Sequence, residues 1–170
     1  MTDQRNRFFE RLNNLGTGGR ATLRKEAGKP LRQADSKALV TFYQCLPPGV
    51  EAWQEDRWFA VACLRCMWDE DIGEGKAFEK VIASLLKSED LSDSTKHRVE
   101  LLLDTRWESD GYLLAKLVRL AKLVRQKSDR SEINFDLLLD DLLGWNSSAQ
   151  YVQRKWAKTI FSNNDSEEKE

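Results

Sequence analysis

The chain has 170 residues, 41% hydrophobic and 32% charged, and its 27 Lys+Arg against 28 Asp+Glu leave a formal net charge of -1. That length closes one compact core or two small packed halves. The near-zero charge excludes a uniformly basic protein of the histone type; nucleic-acid binding stays open, because it depends on where the charges sit. No apolar run approaches the roughly 18–20 residues that span a bilayer, and Met1-Thr2-Asp3-Gln4-Arg5 carries no apolar signal core. Three cysteines make no disulfide framework. The expectation is a soluble, cytoplasmic protein with reduced thiols and no membrane partner.

Apolar residues recur at intervals of three and four rather than two, so every predicted element is a helix. In chain order the pattern predicts a helix near Arg5–Leu12, a turn at Gly16-Thr17-Gly18-Gly19, and a helix over Arg20–Ala27 ended by Gly28 and Pro30. A third runs over Asp35–Cys45 and stops at Pro47-Pro48-Gly49. Trp53–Trp68 is strongly apolar on all sides and suits a central helix. A polar loop follows at Asp69–Gly75, then a helix over Lys76–Leu86. Ser92-Asp93-Ser94 offers caps for a helix over Lys96–Leu103. Tyr112–Arg125 has the clearest periodicity: Leu113, Leu117, Leu120 and Val124 form one stripe, with Leu114, Val118 and Ala121 beside it. Phe135–Leu143 and Ala149–Phe161 complete the set, with Asn146 as the expected cap of the last helix. The predicted fold is all-α, a helical bundle of about eight to nine helices in residues 1–162, with possible halves 1–90 and 91–162. Residues 163–170 form an acidic polar tail with little to bury, expected to be flexible.

The charge is unevenly placed. Residues 1–37 hold nine Lys/Arg and four Asp/Glu, residues 111–130 six and one, and residues 146–164 three and none. Acidic stretches lie between them: eight Lys/Arg against fifteen Asp/Glu over 38–110, and none against four over 131–145. At about 100° per residue, Lys116, Arg119, Lys122 and Arg125 fan across the side opposite the leucine stripe. Arg154, Lys155 and Lys158 likewise lie away from Val152 and Ile160. Each helix would bury one face and offer a basic ridge on the other, able to engage a phosphate backbone without reading bases.

No catalytic constellation emerges, and the protein reads as a non-enzyme without cofactor. Cys63-x-x-Cys66 falls inside a predicted helix, where a metal knuckle would need a turn and a second ligand pair; buried apolar thiols are the expectation, with a site completed by Cys45 and His97 the alternative. His97, the only histidine, has no nucleophile context. Counted from Asp69, the calcium-loop pattern would need Gly at its sixth place and an acid at its twelfth, where Glu74 and Lys80 stand. Gly16 to Gly19 lacks the Lys-Ser/Thr ending of a P-loop. Of six tryptophans, most are read as core, with Trp107 and Trp145 the least determined.

A run of short motifs resembles the CasB family, the small subunit of the type I-E CRISPR surveillance complex, Cascade. It opens with Gly19-Arg20-Ala21-Thr22-Leu23-Arg24-Lys25-Glu26-Ala27, similar to the family's Leu-Arg-Arg-Ala-type motif, with Lys25 where a second Arg often stands. It continues through Phe42-Tyr43, Pro47-Pro48 and Trp58-Phe59-Ala60-Val61-Ala62, then Ile133-Asn134-Phe135-Asp136, Leu138-Leu139-Asp140-Asp141-Leu142 and Trp145. It closes with Val152-Gln153-Arg154-Lys155-Trp156-Ala157-Lys158 and Phe161. The resemblance implies two packed helical halves and no catalysis. It implies a second copy bound head to tail, other Cascade subunits as neighbours, and contact with guide RNA, target DNA and the displaced strand, with sequence read by guide pairing.

Carried onto matching positions, it implicates Arg20, Arg24, Lys25, Arg154, Lys155 and Lys158. Periodicity adds Arg119, Lys122 and Arg125, with Lys29, Arg32 and Lys116 as lesser candidates. Arg24 is the first suspect for holding the two halves together instead. The competing readings are a scaffold whose basic faces meet acidic protein partners, and an unrelated helical RNA-binding or metal protein.

Overall fold

In the computed structural model, nine α-helices form among the described residues, where the apolar spacing places them: α1 (Thr2–Asn13), α2 (Thr17–Lys25), α3 (Ser36–Cys45), α4 (Ala52–Arg65), α5 (Phe78–Lys87), α6 (Asp93–Leu103), α7 (Tyr112–Lys127), α8 (Phe135–Leu143) and α9 (Tyr151–Phe161). A short 3-10 turn at Leu31–Gln33 lies between α2 and α3. The structure describes residues 2–68, 75–88, 93–108, 110–127 and 133–162. The expectations for the acidic loop at 69–74, for Ser92 and for the tail at 163–170 lie outside them. Among the described residues no strand forms; Lys76 and Ile133 make one isolated bridge, in which the Asn134 N–H donates to the Lys76 carbonyl at 2.8 Å.

Local chemistry explains the ends. Asp35 caps α3 by accepting from the Ala38 N–H at 2.8 Å, and Asn134 caps α8 by accepting from Leu137 at 3.1 Å. α2 begins earlier than expected: Gly18 and Gly19 form its first turn rather than a separate turn. Gly19 packs against Leu15, where an added Cβ would sit 3.3 Å from Leu15 Cδ2. α4 stops at Arg65, short of Trp68, because the Arg65 guanidinium reaches past the helix end, donating to the Trp68 carbonyl and to Asn13 Oδ1, both at 2.9 Å. Asn146 does not cap α9, which starts after Gln150 in a left-handed conformation. Its amide instead donates to the Trp107 carbonyl at 2.7 Å and accepts from the Trp107 N–H at 2.8 Å, clamping the loop before α7 to the loop before α9.

α4 is the central helix, buried continuously from Arg57 to Arg65. α8 and α7 pack on it from the far half of the chain, and α5 lies mainly against α9. Helix pairings thus cross the 90/91 division, and one hydrophobic core runs from Phe8 to Ile160. Edge-to-face aromatic pairs fill it: Phe8 with Trp58 at 4.9 Å, Phe42 with Phe59 at 5.2 Å, and Trp145 with Trp156 at 5.3 Å. Trp107 and Trp145 are buried and their indoles are partnered, donating to Asp56 Oδ2 and the Thr105 carbonyl. Trp53 departs from the core reading: it is 53% exposed at the start of α4, stacked under the Arg57 guanidinium at 5.3 Å.

Candidate nucleic-acid interface

α7 is amphipathic as its pattern required. All seven stripe residues, from Leu113 to Val124, are buried, while Arg119, Lys122 and Arg125 are exposed. Lys116 is half-buried with its ammonium 5.6 Å over the Tyr112 ring. The last turn of α2 presents Arg24 and Lys25. Gly28, just beyond, lies against Val118 of α7, with its Cβ position 3.9 Å from that side chain and its φ at +96°, a conformation that favours glycine. This contact brings the two basic segments together. Arg24, Lys25, Lys122 and Arg125 line one open groove of about 800 Å³ with Ala27, Met67 and Gln126. Among the described residues no carboxylate lines it.

The other implicated residues lie elsewhere. The Arg20 guanidinium donates to the Asn13 carbonyl at 2.7 Å, tying α2 to the end of α1. Lys29 is 3.0 Å from the buried Glu26 carboxylate. Arg32 lines a separate, smaller groove with Pro30, Leu39 and Tyr43. Arg154 is exposed on α9. Lys155 is exposed but paired: its Nζ is 2.5 Å from Asp141 Oδ1 and 3.9 Å from Glu79 Oε1, joining α9 to α8 and α5. Burial opposes its charge, but the hydrogen bond and the carboxylates win, and its pKa is raised. Asp141 is fully engaged, since its second oxygen accepts from the Trp156 indole at 2.8 Å.

Lys158 joins a second groove, of about 670 Å³, between α5 and α9, where Lys76, Lys80 and Lys87 also lie. Those three lysines were not anticipated. Their spacing was legible, but they sit in the stretch with eight Lys/Arg against fifteen Asp/Glu, whose net charge hid them.

The described aspartates of the acidic stretch, Asp136, Asp140 and Asp141, are all paired with side chains of other helices. Asp136 and Asp140 take the nearly buried Arg5 guanidinium at 3.3 and 2.7 Å, docking α1 on α8. Elsewhere the chemistry is inert. All three cysteines are free and buried, and desolvation pushes the Cys45 and Cys66 thiols to about 11 and Cys63 well above its ordinary value. Among the described residues no group of three or more His, Cys, Asp or Glu could hold a metal, and no helix is long and apolar enough to cross a membrane. His97 is exposed, 3.5 Å from Glu100.

The model of the CRISPR-associated protein Cse2 family matches residues 19–161, the span from the Gly19 motif to Phe161. The chain belongs to the Cse2 family. Three solved structures share its fold. A CRISPR-associated protein of the Cse2 family from Thermus thermophilus is 25% identical with a TM-score of 0.74, covering 92% of this chain and 96% of that one. CasB of M. ruber is 23% identical with a TM-score of 0.71, covering 95% and 94%. A chain of a CRISPR RNA-guided surveillance complex is 21% identical with a TM-score of 0.71, covering 93% and 91%. No curated protein matches the chain. The Cse2 family is non-catalytic, as the resemblance implied.

Proposed function

We propose that this Cse2-family protein is a non-enzymatic subunit of a CRISPR RNA-guided surveillance complex that uses the α2–α7 groove to hold nucleic acid by its phosphates. Support for the setting comes from the family match and from the fold shared with a chain of such a complex. The observation that carries the binding role is the meeting of Arg24 and Lys25 with Lys122 and Arg125, four cations from distant segments, in one groove. Arginine can grip a phosphate with two parallel N–H bonds and lysine as a point charge, and neither reads a base edge in doing so. The groove therefore suits a guide–target heteroduplex or a displaced strand whose sequence is read by pairing. Other Cascade subunits and a second copy packed head to tail would be its protein neighbours.

The test is a salt titration of the protein with single-stranded and duplex DNA. Phosphate contact gives a steep fall of log affinity with log salt, flattened by about 0.7–0.9 for each contact removed. Replacing the groove cations Lys25, Lys122 and Arg125 together with Ala should weaken binding to all sequences alike and flatten that slope. Unchanged affinity and slope would leave the groove a contact for acidic protein surfaces.

A further inference from the structure

We propose that the groove between α5 and α9 is a second, separate phosphate-binding site, so that one molecule holds nucleic acid at two places. This goes beyond the α2–α7 reading and rests on different helices. Phe78 of α5 packs its ring 5.7 Å from that of Trp156 on α9, fixing the pair. On the side away from that contact, Lys80 and Lys87 stand seven residues apart on α5, two helical turns along one face, with Ser84 between them. Lys158 and Thr159 face them from α9, and Lys76 closes one end, its backbone held by the bridge to residues 133–134.

The lining decides the ligand class. Four ammonium groups and two hydroxyls line the groove, and no carboxylate is among its described lining residues. Cations held by packed helices against one another favour a ligand with a regular series of negative charges. Among the same lining residues there is no aromatic ring on which a base could stack and no arginine for a bidentate grip. The groove therefore fits the sugar-phosphate chain itself, in any sequence. An acidic peptide would be recognised through pockets for its side chains, and the sole apolar residue in the described lining is Ala83.

The experiment uses the full chain with a fluorescent oligothymidylate and a mixed-sequence duplex, read by anisotropy across a salt series. Lys80, Lys87 and Lys158 are exposed, and the melting of Lys80→Gln/Lys87→Gln/Lys158→Gln is compared with the parent's before binding is read. For the single strand, the expected result is a log–log salt slope flatter by about 2 and an affinity at low salt lower by roughly tenfold or more. Lys25→Gln/Lys122→Gln should flatten the slope independently, and the combined variant should lose both increments. If the lysine triple variant binds both probes like the parent while the α2–α7 variant does not, the second site is overturned and the first survives. If the parent binds neither probe, both fall. If polyglutamate binds as tightly as the oligonucleotide and loses that binding in the triple variant, the groove is a protein-docking site instead.

Discussion

Glu79 is 3% exposed, and one of its carboxylate oxygens has no hydrogen-bond partner. Desolvation raises its pKa above the ordinary value of 4.5, outweighing the nearby Lys155. The folded state thus holds this proton more tightly than the unfolded chain. Its contribution to stability is full below the unfolded value and is lost as pH rises through the folded one. Glu79→Gln should therefore gain stability relative to the parent as pH is raised from about 4 to about 7, measured by urea denaturation at each pH. A difference independent of pH would show that Glu79 folds in its ordinary state. Gly28 presents a different constraint. At φ +96° a side chain strains the backbone, and Gly28→Ala should cost about 1–2 kcal/mol in the same assay. Lys155 marks what residue-level reading of the sequence could not supply. Its register on α9 is that of a surface residue, and only the fold brings Asp141 and Glu79 under it.

At the scale of elements, the nine helices were legible because a 3.6-residue period needs only local sequence, and α7 shows it most plainly. The ends were less so. They depend on side chains that reach out of the helix, as Arg65 does at the end of α4, or on distant partners, as Trp107 does for Asn146. Asn134, which the periodicity does not mark as a cap, closes α8 through its own side-chain oxygen, and Asn134→Ala should cost about 1 kcal/mol, read as a lower denaturation midpoint with the same slope. Pairing of basic segments was the harder step. That Arg24 and Lys25 face Lys122 and Arg125 depends on a glycine contact across ninety residues of chain. The α5 lysines are masked by the acids around them in the sequence, because the net charge of a segment says nothing of the one helix face that a ligand meets.

At the scale of the whole molecule, the described helices share one hydrophobic core. α1 is tied to α8 by Arg5, α9 to α5 and α8 by Lys155, and Trp156 is fully buried against Trp145 and Phe78. Two halves at 1–90 and 91–162 would each lose a wall on separation. Unfolding followed by tryptophan fluorescence and by far-ultraviolet circular dichroism should give one coincident transition, and two resolved transitions would show the halves to be separate units. Trp156→Ala should lower stability by about 3–5 kcal/mol through the cavity it leaves. Family resemblance adds what periodicity cannot: alternation of charge marks basic helix faces, while the order of short motifs from Gly19 to Phe161 points to the Cse2 kinship that the family match bears out.

In the proposed function, segments some hundred residues apart in sequence make one surface for a phosphate chain. Photo-crosslinking the full chain to a thiouridine-labelled strand, followed by mass spectrometry of the adducts, tests it most directly. Adducts are expected on the α2 peptide carrying Arg24 and Lys25 and on the α7 peptide carrying Lys122 and Arg125. Adducts confined to surfaces away from both helices would contradict it.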